Sequence, residues 1–194
     1  SNRVIDNLQQ RKGIMTSMTQ EGENNRLIFK VPSRGLIGFR GEMLTETRGT
    51  GIMHQQFDAY EPFAGKIPGR NSGTLIALEK GEVTSYALEG LQDRGTFLVE
   101  PGDKVYEGQV VGINNRSDDL VVNVVKKKNL TNHRATQSAD EVKIAPAKKM
   151  SLEQCIEFID DDELLEVTPK SLRIRKKYLD FNERKREKKN KEFA

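Results

Sequence analysis

The sequence has no tryptophan, two histidines and one cysteine among its 194 residues. A lone cysteine excludes an intrachain disulfide and a thiolate zinc site. Cys155 falls on the apolar face of a predicted helix, which marks it as core and not as a reactive thiol. His54 and His133 are far apart and neither has a second ligand at metal spacing, so no metal site can be assembled from them. The apolar runs are only a few residues long, against about 20 for a membrane-spanning helix, and no N-terminal stretch resembles a signal peptide. With the lone thiol, this fits a cytoplasmic setting. No GxxxxGK[ST] cradle for a nucleoside triphosphate occurs. No Ser/His/Asp set or pair of catalytic carboxylates stands out, so neither an enzyme nor a cofactor or small-molecule substrate is expected from the residues.

What is present is charge, unevenly placed. Charged residues make up 31% of the chain, yet the net charge is only +3. Residues 126–149 carry seven basic and two acidic side chains, and residues 170–191 carry eleven and three. These segments hold net charges of +5 and +8, leaving about −10 for the remainder. Segregation of this kind suggests a polyanionic partner met at particular places. A solvated helix face with a disordered tail explains the second segment as well.

Apolar spacing gives a helix over residues 4–10, strands over 14–20 and 27–31, a glycine-interrupted helical stripe over 36–44, and a strand over 52–60. Helix, strand, strand, helix, strand is a βαββαβ ferredoxin-like unit without its first strand, as if the chain began inside a domain. The glycines of "RGLIGFRG" (residues 34–41) read as close-packing positions. "EPFAGKIPGRNSG" (residues 61–73) is the predicted domain boundary, giving domains 1–65 and 66–194. Beyond it short strands are predicted at residues 74–78, 83–87, 96–99, 109–113, 120–125 and 142–144, which favours a small barrel or sandwich. Ser151 and Gln154 stand three apart like a capping box at the start of a helix. "DDDE" (residues 160–163) ends that helix and reads as helix-end solvation; it lacks the pattern of a calcium loop. A strand, "LLEV", then precedes a strand or turn leading into an exposed basic helix. "EPGDKVYEGQVVG" (residues 100–112) contains a pattern found in lipoyl and biotin carriers, but no lysine stands at a hairpin tip, so it reads as a structural turn.

The alternating segment at residues 120–125 runs directly into Lys126, Lys127 and Lys128, then into a polar loop ending near residue 141. Lysine and arginine meet phosphates, while Asn132, His133 and Arg134 can hydrogen-bond or stack on exposed bases. RNA binding, protein-surface binding and a plain structural module are all compatible with this composition. Only Leu130 could pin residues 129–140, so mobility is expected there in the absence of RNA.

"VPSRGLIGFRGEMLTETRGTGIM" (residues 31–53), "GLQDRGTFLVEPGDKVYEGQVVGINNRSDDLVVN" (90–123), "LTNHRA" (130–135) and "LEQCIEFIDDDELLEVTPKSLRIRKKYL" (152–179) resemble, in order, the BipA/TypA family of translational GTPases. The resemblance implies an α+β chain. An incomplete ferredoxin-like domain of the elongation-factor-G domain V type comes first, lacking its first strand. A β-rich, barrel-like C-terminal domain with short helices follows. It implies that GTP and magnesium belong to an absent N-terminal domain, so this fragment is no enzyme. The implied partners are the ribosome, large-subunit rRNA and A-site tRNA, bound by a monomer acting in translation under stress and in large-subunit assembly. Lys128, Leu130, Thr131, Asn132, Arg134 and Ala135 match the family loop that reaches the tRNA acceptor end, and Lys126, Lys127, Lys128, Thr131, Asn132, His133 and Arg134 are the RNA-binding residues expected there. Arg173, Arg175, Lys176 and Lys177 match a basic run assigned to rRNA. The chain departs from the family at His133, where Met is usual, and in the extra lysines 126 and 127. The role of His133 is therefore not inherited. A protein-interaction module without direct RNA contact, using the acidic segment near Asp160 and the exposed sheet edge, is the alternative.

Overall fold

A computed structural model describes residues 2–67, 69–128 and 144–192. The chain forms two compact units, one ending at Gly69 and one beginning at Arg70.

In the first unit, helix α1 (Asn2–Gln10) buries Leu8 against Phe39 and Met43, with Val4, Phe29, Val31, Leu36 and Met53 packed around them. The helix ends in a Schellman motif. Lys12 is left-handed (φ 66°), its amide donates to Gln9 O at 3.0 Å, and the Gly13 amide donates to Leu8 O at 2.7 Å. Strands β1 (Ile14–Glu21) and β2 (Asn24–Lys30) form an antiparallel hairpin. Gly22, with φ 65°, opens its two-residue loop, where a left-handed residue is required. The predicted single helix over 36–44 is broken. A 3₁₀ turn (Ser33–Leu36) is followed by left-handed Gly38, which caps helix α2 (Phe39–Glu46). Of the glycines expected to be close-packed, Gly35 is: a Cβ there would lie 2.6 Å from Arg11 O, whereas at Gly41 it would meet open space.

The strand expected at residues 52–60 is not formed; residues 51–67 carry no regular structure where described. Ile52 and Tyr60 are 83% and 95% exposed. A strand persists only in a ladder, and the only ladder described in this unit pairs β1 with β2.

The second unit centres on a sheet in the order β5-β7-β3-β8, with β3 spanning Thr74–Ala77, β5 Gly95–Phe97, β7 Val110–Asn114 and β8 Leu120–Val122. Its pairs are antiparallel except β3 with β8, which run parallel. Every residue of β3 is buried, as a central strand demands. Val111 joins Leu75, Ala77, Leu88, Phe97 and Val122 in one core cluster. Its neighbour Val110 joins Cys155 and Ile174 in another, so the pleat of β7 feeds two cores. Burial raises the Cys155 thiol pKa, as a core residue requires. Two ribbons flank the sheet: β4 (Gly81–Glu82) with β6 (Lys104–Val105), and β9 (Glu163–Val167) with β10 (Leu172–Lys176). Helix α4 (Leu152–Phe158) carries the predicted capping box, with Gln154 N donating to Ser151 Oγ and Ser151 N to Gln154 Oε1. Helix α5 (Phe181–Glu192) follows β10.

The strand expected at 83–87 is instead a helix start. Thr84 caps helix α3 (Ser85–Glu89), its hydroxyl accepting from Ala87 N at 3.2 Å. Val83 and Leu88 then stand at the two positions of a hydrophobic staple, and both enter the core. The strand expected at 142–144 falls almost wholly outside the described residues.

Candidate nucleic-acid interface

The first basic segment is mounted on a braced strand. Beyond β8 the side chain of Asn123 donates to Glu79 Oε1 at 2.7 Å and accepts from Val125 N at 3.0 Å. Val124 is buried and its carbonyl accepts from Thr84 N at 3.0 Å. The Thr84 hydroxyl donates to Lys126 O at 2.6 Å. Gly81 lets β4 lie against Val125, since a Cβ there would be 2.9 Å from Val125 Cγ1. The backbone is thus fixed as far as residue 126, and Lys126, Lys127 and Lys128 are all exposed. Thr131, Asn132, His133 and Arg134 lie outside the described residues, as does the expectation of mobility at 129–140.

The second basic segment divides by the alternation of β10. Arg173, Arg175 and Lys177 share one face; Ile174 and Lys176 share the other. Lys176, expected to contact rRNA, is 2% exposed and cannot do so. Its ammonium lies 2.5 Å from Asp119 Oδ2, 3.0 Å from Asp162 Oδ2 and 2.9 Å from Glu163 Oε1. Glu163 also takes a two-pronged contact from Arg70, both nitrogen–oxygen distances being 2.6 Å. The Arg70 guanidinium stands 4.4 Å from the Phe158 ring and donates to Phe158 O at 2.6 Å. Asp119 Oδ1 accepts from the amide and the hydroxyl of Thr74, at 2.7 and 2.8 Å.

This cluster also corrects the reading of "DDDE" as helix-end solvation, since Glu163 is buried and Asp162 is paired. Burial opposes ionisation of Glu163, but the bond from Arg70 and the charge of Lys176 outweigh it and hold its pKa below the ordinary value. Asp119 is likewise held low against its burial, by Lys176 and then Thr74. Lys176 is desolvated, yet Glu163 and Asp119 keep its pKa raised.

Arg175 is partly occupied: its Nε donates to Glu166 Oε1 at 2.8 Å, and Glu166 Oε2 accepts from the Tyr106 hydroxyl at 2.7 Å. Burial, and then the bond to Glu166, push the Tyr106 pKa well above its usual range. Arg173 is half-buried and Lys177 exposed, with its ammonium 5.8 Å from the Tyr178 ring. Asp180 caps α5 by accepting from the amides of Asn182 and Glu183. Lys185, Arg186, Lys188 and Lys189 are exposed along that helix. Arg184 instead folds back on the carbonyls of Tyr178 and Leu179. In the first unit Arg11 bonds the carbonyls of Gly35 and Ile37 and pairs with Glu42 at 3.1 Å. Among the described residues no group of three or more His, Cys, Asp or Glu could hold a metal ion. No helix among them is long and apolar enough to cross a membrane.

Sequence profiles of known families cover both units. The Elongation factor G C-terminus matches residues 1–71, and the TypA/BipA C-terminal domain matches residues 72–181. The chain belongs to the TypA/BipA family. It is 48% identical to the Large ribosomal subunit assembly factor BipA of Bacillus subtilis over 98% of its own length and 32% of that protein's. The proteins of the same name from Haemophilus influenzae and Escherichia coli K12 are 49% and 47% identical. Each of those two comparisons covers 94% of this chain and 30% of the relative. The chain thus spans about a third of the length of the curated relatives it matches. The TypA/BipA C-terminal match takes in the first basic segment and the part of the second that precedes α5, stopping at the first residue of that helix.

Proposed function

We propose that this chain is the ribosome-docking portion of a translational GTPase that acts in large-subunit assembly and in translation under stress. In this reading residues 1–65 are a ferredoxin-like domain V, and residues 66–194 are a barrel-like domain that presents the loop 126–141. Lys126, Lys127, Lys128, Thr131, Asn132, His133 and Arg134 meet the acceptor end of A-site tRNA and nearby rRNA. Arg173, Arg175 and Lys177 add rRNA phosphate contacts, and Lys176 is withdrawn from that set. GTP, magnesium and hydrolysis belong to other parts of the parent protein, which works in the cytoplasm, and this portion is monomeric.

The observation that carries the reading is the row of three exposed lysines that begins where a braced backbone ends, at Lys126. Such a row offers phosphates a preorganised partner and adds little ordering cost on binding. The relatives' names, large ribosomal subunit assembly factors, supply the class of target. The alternative, protein docking through the acidic segment, is weakened because two of its four carboxylates, Asp162 and Glu163, are engaged by Lys176.

The test is co-sedimentation of the chain with purified large ribosomal subunits across a salt series. Replacing Lys126, Lys127 and Lys128 together by Ala is expected to weaken binding and to lower the slope of log K against log salt by about 2. Unchanged affinity and slope in the triple variant would reject the assignment.

A further inference from the structure

Two residues after the threonine that bonds Lys126 O stands an exposed aromatic residue. Tyr86 lies in the first turn of α3 and is 43% exposed, while its neighbours Ala87 and Leu88 are buried. Its place is set by Thr84, two residues earlier, which bonds Val124 O through its amide and Lys126 O through its hydroxyl. The start of α3 is therefore held alongside the stretch that delivers Lys126, Lys127 and Lys128. Gly81 approaches Val125 closely, and its chain neighbour Lys80 is exposed beside that contact. Of the nearby carboxylates, Glu79 accepts from Asn123, Glu82 stands in register with Lys104 across the β4–β6 ribbon, and Glu89 is exposed at the end of α3.

We propose that Tyr86 and Lys80, with Lys126, Lys127 and Lys128, form a subsite for an unpaired nucleotide of single-stranded RNA. The base stacks on the Tyr86 ring while the lysines hold the flanking phosphates. An aromatic ring among cations is the combination that single strands use, because every base has a face to stack and every linkage a charge. A duplex hides its base faces and offers this surface phosphates alone. An acidic peptide would satisfy the lysines but would give the ring no stacking partner. The proposal rests on the reading of residues 126–128 as an RNA-binding segment and specifies what they bind.

The test is fluorescence anisotropy of the 194-residue chain with a short labelled polyuridylate RNA and with an RNA duplex of equal length. Tyr86→Ala is expected to weaken single-strand binding by about tenfold and to leave duplex binding unchanged, whereas Tyr86→Phe retains the parent affinity. Lys80→Ala should weaken both and lower the single-strand salt slope by about 0.7. If Tyr86→Ala does not fold, Tyr86→Leu, which keeps apolar bulk without an aromatic face, takes its place. Parent-like single-strand affinity in the Ala or Leu variant overturns the subsite. So does equal loss in the Phe variant, or equal loss on the duplex. If those results come with weakened binding in the triple lysine variant, the basic-segment reading stands and only the subsite falls. Failure of the parent chain to bind either RNA, or polyglutamate binding in its place, overturns both.

Discussion

At the scale of single residues, the decisive placement is Lys176. Truncating it to Ala leaves Asp119, Asp162 and fully buried Glu163 without their shared cation. Arg70 still pairs with Glu163, so the expected cost is about 3 kcal/mol, at the low end for a broken buried pair. Urea denaturation measures it, with Lys177→Ala, on an exposed side chain, shifting stability by less than about 0.5 kcal/mol. The cluster also sets a pH dependence. The folded pKa of Glu163 lies below its ordinary 4.5, so its contribution is complete above that value and is lost as pH falls through the folded pKa. Lys176 has a raised folded pKa, so its contribution is complete below 10.5 and fades as pH rises through the folded value. Thermal melts of the parent and of Glu163→Gln should therefore converge in acid below pH 4.5. The burial of Lys176 was open to inference from the alternation of "LRIRK", which sets it beside Ile174. Its three carboxylate partners come from two separate stretches of chain, and no local pattern reports such a meeting. The same holds for Tyr86, a helix residue whose neighbourhood is set by a hydroxyl bond spanning 42 positions.

At the scale of elements, glycines and caps give the sharpest tests. Gly41 lies exposed in α2 with open space about it, so Gly41→Ala should stabilise by about 0.5–1 kcal/mol. Gly73 is the opposite case: a Cβ there would stand 2.1 Å from Asp118 O, and Gly73→Ala should shift the chain at the entry to β3 and destabilise. Ser151→Ala removes one half of the α4 capping box and should cost about 1 kcal/mol. Chemical denaturation of the three variants side by side orders them. Periodicity located α1, β3, β7, α4 and β9, because in each the local preference and the buried face agree; the β1–β2 hairpin, which buries no residue, was located by its alternation and its turn. It failed at residues 52–60, where alternation was present without a partner to pair with. It failed at 83–87, where apolar content outweighed the cap and staple that make Thr84 a helix start. Strand propensity is a preference for a ladder, and the ladder is made elsewhere in the chain.

At the scale of the whole molecule, each unit holds its own apolar cluster, Leu8 with Phe39 and Met43 in one and the cluster around Val111 in the other. Leu8→Ala should cost about 2–4 kcal/mol in its own unit. Hydrogen exchange should report this as faster exchange in α1, β1 and β2 than in β3 and β7. The charge map was legible as two basic segments, but only tertiary structure shows that the second is partly internal. One further consequence follows from Arg70. It is the first residue of its unit, and its guanidinium is fastened to Glu163 at the start of β9 and to the ring and carbonyl of Phe158 at the end of α4. Tension applied at Gly69 therefore enters the second unit through a side chain and passes into the β9–β10 ribbon before it reaches the central sheet. Pulled from that end in an optical trap, the unit should resist at this anchorage first, and Arg70→Ala should lower the force of the first rupture while β3 and β7 remain paired.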